Sequence, residues 1–193
     1  MKNSKWKNYF DKFIQLKMIK QWSIEGSCEL YFYDESGFSL NSNIPYRWST
    51  IGTPTPIPSI RFTKRINVLG FLNTNTKNVF YKMTSERVDT DVVINLFDKF
   101  AKQINKTTIC VVDNASTHTS KKFKVKLQEW KDLGLHILYL PPYSPELNPI
   151  EMLWREMKYN WVDLNAMDSF DSFWEHIKSM LDGFGLKYDI NFC

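Results

Sequence analysis

Apolar positions repeat along the chain in two rhythms, and each change of rhythm marks an element. Between residues 4 and 22, Trp6, Phe10, Phe13, Ile14 and Met18 recur at three- and four-residue steps. That spacing predicts a helix with one apolar stripe, from Trp6 to Trp22, which more often turns to the core than docks a partner. Gly26 breaks the pattern, and the aromatic run Glu29 to Asp34 (ELYFYD) predicts a buried strand. Ile66 to Asn73 and Asn78 to Met83 predict two more strands, joined as a hairpin through the polar link Thr74–Lys77. Asp89 to Ile104 predicts a helix that turns Val93, Leu96, Phe97, Phe100 and Ile104 to one side. A β-branched strand, Thr107 to Asp113, follows. Thr119 or Ser120 then caps a helix that runs to about Trp130, with Phe123, Leu127 and Trp130 inward. Gly134 ends that helix, and Leu135 to Leu140 predicts a fifth strand. Asn148-Pro149 opens a helix with Ile150, Leu153, Trp154, Met157 and Trp161 on one side, and Phe170 to Leu181 gives the last helix. Pro45, Pro54, Pro56 and Pro58 exclude a long helix and disfavour a central strand, so that stretch is an expected excursion from the sheet, with Trp48 as an anchor.

Three early strands followed by alternating helices and strands demand parallel crossovers. The expected fold class is α/β: a five-stranded mixed sheet flanked by helices. Residues 1–27 form a helical lead-in, and 28–193 form one domain large enough for a full core. The net charge of +4 permits a nucleic-acid partner without requiring one. Cys28, Cys110 and Cys193 are far apart and form no CxxC pair, which argues against zinc or a disulfide framework and fits a reducing compartment. No apolar run reaches the ~18 residues of a membrane span, and no signal-peptide core follows the first lysines. A cytoplasmic protein with no membrane partner is expected.

Three carboxylates occupy comparable places. Asp34 ends the first strand, Asp113 ends the fourth, and Glu151 opens the helix after the fifth. Ligand sites in such sheets gather at the carboxyl ends of strands. Strand parity puts Leu30, Phe32 and Asp34 on one face, and likewise Ile109, Val111 and Asp113. Two carboxylates roughly 4 Å apart repel by about 4 kcal/mol at an effective dielectric near 20. A shared proton offsets this, and divalent cations suit such hard oxygen ligands better. Each acid also has a plainer use. Asp34 and Asp113 can start turns, and Asn148, Pro149 and Glu151 fit the N-cap, N1 and N3 of a capping box. Parity points Glu35 away from Asp34, and Glu146 falls in the loop before the helix.

The segments YDESGF (33–38), VVDNASTH (111–118) and LPPYSPELNPIE (140–151), together with Arg47-Trp48 through Gly52-Thr53-Pro54, resemble the mariner superfamily of DDE transposases, and within it the bacterial insertion-sequence branch. The likeness covers roughly residues 28–192. The third motif, followed by Trp154, is the long and specific one. The resemblance implies a ribonuclease H-like fold and two divalent metal ions, Mg²⁺ or Mn²⁺, at Asp34, Asp113 and Glu151. It implies phosphodiester hydrolysis at transposon ends followed by strand transfer. The implied partners are terminal inverted repeats, target DNA and a second copy in an active homodimer, in a bacterial cytoplasm at the nucleoid. Asn114 and His118 follow the second acid as in the family and take a supporting role; His118 also reads as a polar cap of the next helix. Family members usually carry an N-terminal helix-turn-helix region, and the residues before the first strand are too few for one. A nuclease that only nicks, or a non-catalytic or regulatory fragment, remains an alternative.

Two basic groups are candidate DNA contacts. Arg155 and Lys158 share a polar side with Glu151 and can hold phosphates, or simply form an i,i+4 pair. Lys121 and Lys122, with Lys124 and Lys126, crowd a helix start, where they oppose the helix dipole unless an anion or solvent relieves them.

Overall fold

The computed structural model describes residues 2–40, 51–52 and 64–192. The proline-rich excursion with Trp48, apart from Ile51-Gly52, and the Arg47-Trp48 and Thr53-Pro54 parts of the family likeness lie outside the described residues. Five strands form one sheet in the order β3-β2-β1-β4-β5. They are β1 Glu29–Ser39, β2 Arg65–Asn73, β3 Asn78–Thr84, β4 Thr108–Val112 and β5 Leu135–Tyr139. β1 runs antiparallel to β2 and parallel to β4, and β4 runs parallel to β5. The mixed sheet expected from the alternation is therefore present.

Alternating side chains divide the core between the two sheet faces. Leu30, Phe32 and Val111 point to the layer built by α1 (Lys2–Ile24), α5 (Ile150–Glu156) and α6 (Phe170–Asp182). Tyr33, Leu69, Phe71, Cys110 and Val112 point to the opposite layer of α2 (Thr90–Ala101) and α4 (Lys121–Asp132). Caps fix where these helices begin. Asp89 accepts from the Val92 amide at 2.9 Å, and Ser120 from the Phe123 amide at 3.2 Å. A short helix α3 (Ser116–Thr119) precedes α4, and a π-helical turn, Met157–Trp161, extends α5.

Two expectations need correction. β1 does not stop at Asp34; pairing with β2 carries it on to Ser39. The predicted core stripe of α1 is also largely misassigned. Leu16 and Ile19 are buried and Phe13 is partly buried, but Phe10, Ile14, Met18 and Trp22 stand about half exposed. The helix is apolar on two sides, so periodicity alone could not choose the side that docks.

Candidate active site

The sheet register brings the first two acids together. Phe32 of β1 pairs with Val111 of β4. Two residues further on, Asp34 stands level with Asp113. β4 has ended at Val112, whereas β1 continues against β2, with Gly70 opposite Asp34. Asp34 is thus held on one flank by the sheet and open on the other. Burial pushes its carboxyl up to about 8, with the negative charge of Glu35 next in weight; Glu151 and Asp113 add smaller repulsions. The three acids therefore feel one another across the ends of β1 and β4 and the start of α5.

Each acid is held by a different neighbour. The Trp154 indole N–H donates to Asp34 Oδ2 at 3.1 Å. This contact depends on Gly70. A Cβ there would stand 2.9 Å from Trp154 Cη2 and 3.1 Å from Cζ2, so only glycine lets the indole lie against β2. Asp113 Oδ1 accepts from the Ala115 amide and lies 2.7 Å from His118 Nδ1. The His118 ring is fully buried, and its Nε2 lies 3.2 Å from Glu35 Oε1, which also accepts from the Tyr33 hydroxyl. Burial alone would lower the His118 pKa. The bonds to Asp113 and Glu35 outweigh it and raise it to about 9, while the same His118 bond holds Asp113 low. Asn114 faces solvent and donates its side-chain amide to the Leu140 carbonyl, which ties the loop after β4 to the end of β5.

Glu151 stands exposed in the first turn of α5. Burial raises its carboxyl, Asp113 adds repulsion, and Lys158 opposes both. The expected capping box does not form: the cap position is Pro149, with no side-chain bond. Asn148 instead donates its amide to the Tyr33 carbonyl at 3.3 Å, which pins the start of α5 to β1 one residue before Asp34. The short 3₁₀ turn Pro145–Leu147 directs Asn148 inward and so away from a cap geometry. Asn148 Oδ1 is buried without a partner. It borders a cleft of about 410 Å³ that is also lined by Asp113, Glu151, Pro142 and Tyr143.

An all-carboxylate donor set fits a hard divalent cation. Among the described residues no group of three or more His, Cys, Asp or Glu is gathered tightly enough to chelate one ion. Basic residues divide by layer. Lys158 lies near Asp34 and Glu151 with its ammonium 5.4 Å from the centre of the Phe38 ring, and burial, then Arg65, lower its pKa. Arg155 joins Lys17 and Lys20 of α1 on a second cleft, of about 790 Å³, beside Glu151. Lys121 and Lys122 start α4 on the opposite layer, and Lys122 already pairs with Asp91 at 2.7 Å.

Sequence reasoning did not find the roles of Trp154, Asn148 and Glu35. Spacing puts Trp154 on the core face of α5, where it lies. Its clue was the indole N–H, which needs a partner wherever the ring is buried. Glu35 does point away from Asp34, as parity requires, but from that far face it still reaches His118.

The chain belongs to the DDE superfamily endonuclease family, whose model matches residues 29–173. The catalytic domain of Mos1 mariner transposase superposes with a TM-score of 0.57 at 18% identity, covering 94% of this chain and 80% of that one. The Mos1 mariner paired end complex with Mn gives 0.58 at 22%, covering 80% of this chain and 48% of that one. The catalytic core domain of BIV integrase gives 0.51 at 14%, covering 82% and 84%. These likenesses establish a ribonuclease H-like fold. An uncharacterised protein of Sinorhizobium fredii, y4pE/y4sA, is 32% identical over 68 residues, which make up 35% of this chain and 46% of that protein. The chain thus spans about half the length of that relative and of the Mos1 chain in the paired end complex.

Proposed function

We propose that this chain is the catalytic domain of a DNA transposase, with Asp34, Asp113 and Glu151 as the ligands of two divalent cations, Mg²⁺ or Mn²⁺. The observation that carries the reading is the alignment of Asp34 with Asp113 across the parallel pair β1–β4, with Glu151 brought alongside. Bound there, the cations would activate a water or a 3′-hydroxyl and stabilise the leaving oxygen. The chain's own residues place and charge the ligands. The Trp154 N–H orients Asp34, and His118, held by Glu35, orients Asp113. Asn148 fixes the helix that presents Glu151. Lys158 lies where it can meet a phosphate beside the acids, and Arg155 with Lys17 and Lys20 extends that basic side. Lys121 and Lys122 lie on the other layer, and we assign them no DNA contact.

The substrates are transposon ends, cut by hydrolysis, and target DNA, joined by strand transfer. The test is cleavage of labelled duplex carrying the element's inverted repeats, with Mg²⁺ or Mn²⁺. Glu151→Gln removes one ligand charge at an exposed position, so folding is retained. We expect nicking to fall by ~10²–10³-fold, the scale of losing a group needed for transition-state charge. Nicking by the variant at the wild-type rate rules out the triad. Nicked product without joined product identifies a nuclease rather than a transposase.

A further inference from the structure

The helix α1 carries an apolar face that the described residues leave uncovered. Leu16 and Ile19 are buried against the sheet, with Tyr9 and Phe13 packed beside them. On another side, Phe10 (55% exposed), Ile14 (55%), Met18 (52%) and Trp22 (45%) form an unbroken row at four-residue steps. Four large side chains in one row hold on the order of 450 Å² of apolar surface, within the range of patches that mark interaction sites.

The charges at the ends of this row say what fits it. The helical bonding continues through the Glu25 amide to the Gln21 carbonyl at 2.9 Å. Lys7 and Glu25 are 18 positions apart in the numbering, which is about five full turns, so both lie on one line along the helix. That line runs down the middle of the row: Phe10 and Ile14 fall on one side, Met18 and Trp22 on the other, all within about 60° of it. Asp11 and Gln21 also lie on this face, about 40° to either side of the line; reversed, Lys7 comes level with Glu25, Asp11 with Gln21 and each apolar side chain with another, so the face is complementary to itself.

We propose that this face of α1 docks a second copy of the chain in antiparallel orientation. The two-fold axis passes between Ile14 and Met18. Phe10 then lies at the level of the partner's Trp22, Ile14 at that of the partner's Met18, and Lys7 meets the partner's Glu25. A parallel pair would set Lys7 against Lys7 and Glu25 against Glu25, which costs rather than stabilises. An isologous two-fold contact of this kind closes at two copies. It removes about 900 Å² in total, below the ~1,200 Å² of stable interfaces, so the dimer is weak and concentration-dependent. It needs neither DNA nor metal and stands independently of the catalytic reading.

The experiment is sedimentation velocity on the full chain without DNA, from roughly 1 to 200 µM, the range in which an interface of this size dissociates. The expected result is a monomer at the low end that shifts to a dimer at the high end. Ile14→Glu with Met18→Glu should give a monomer throughout, with an unchanged circular-dichroism spectrum and thermal midpoint, because both side chains face solvent. Lys7→Glu and Glu25→Lys should each weaken the dimer several-fold, and the double reversal should restore it. A wild-type monomer across the whole range assigns the face to a different partner and overturns the proposal, as does a dimer that survives the double glutamate. Failure of the double reversal to rescue overturns the antiparallel register.

Discussion

The indole of Trp154 is the contact on which the placement of Asp34 most depends, and two independent substitutions disturb it. Trp154→Phe keeps an aromatic ring in the pocket and removes the N–H that lies 3.1 Å from Asp34 Oδ2. Gly70→Ala keeps the indole and displaces it, since the new methyl stands 2.9 Å from Cη2 and 3.4 Å from Ile150 Cδ1. A hydrogen bond to a charged group contributes about 1.5–3 kcal/mol. In water-poor surroundings the carboxylate that loses it is harder to ionise and less well oriented. That energy corresponds to roughly a 10–100-fold loss in metal affinity, the range found when the outer partners of metal ligands are removed. Calorimetric titration of Mn²⁺ into the protein, and the Mg²⁺ midpoint of nicking, read the effect directly. Both variants should shift the midpoint upward, while nicking at saturating metal stays within a few-fold of wild type. Thermal melts report the separate packing cost, about 1–3 kcal/mol for either change. Loss of stability in both variants with no change in the metal midpoint would refute the orienting role of Trp154.

Three other outcomes follow from the same geometry. Asp34 holds its proton in the native protein up to about 8, against about 3.9 when unfolded, so the metal-free protein loses stability as pH rises between those values. Asp34→Asn should remove that slope in chemical denaturation and stabilise the metal-free protein at pH 7 by on the order of 2–4 kcal/mol, while abolishing nicking. His118→Ala leaves Asp113 and Glu35 without their shared partner at a fully buried position and should cost about 2–4 kcal/mol together with activity; His118→Asn should recover part of both. Lys158→Ala should weaken binding to duplex DNA and lower the salt slope by about one, whereas Lys121→Ala should change neither, as judged by fluorescence anisotropy at several salt concentrations.

Local pattern determined much of this protein. Five strands, the limits of all but β1, the cap at Ser120, the inward residues of α2, α4 and α5 and the candidate acids follow from spacing and residue type, because each depends on neighbours a few positions away. Parity alone set Asp34 and Glu35 on opposite faces of β1. What needed the tertiary structure was every relation across long sequence separations. Only the β1–β4 register places Asp34 beside Asp113, and only the continued pairing with β2 carries β1 beyond Asp34. Asn148 reads as a cap in sequence, yet its amide goes to the Tyr33 carbonyl, 115 residues away, because the turn before it points the side chain into the sheet. Trp154 reads as core, and Gly70 on a distant strand decides that its N–H reaches Asp34. The α1 stripe is the clearest case. Spacing shows one stripe, and packing decides that Leu16 and Ile19 go under while Phe10, Ile14, Met18 and Trp22 stay out, since a periodic pattern records the angle between residues but not what lies against them.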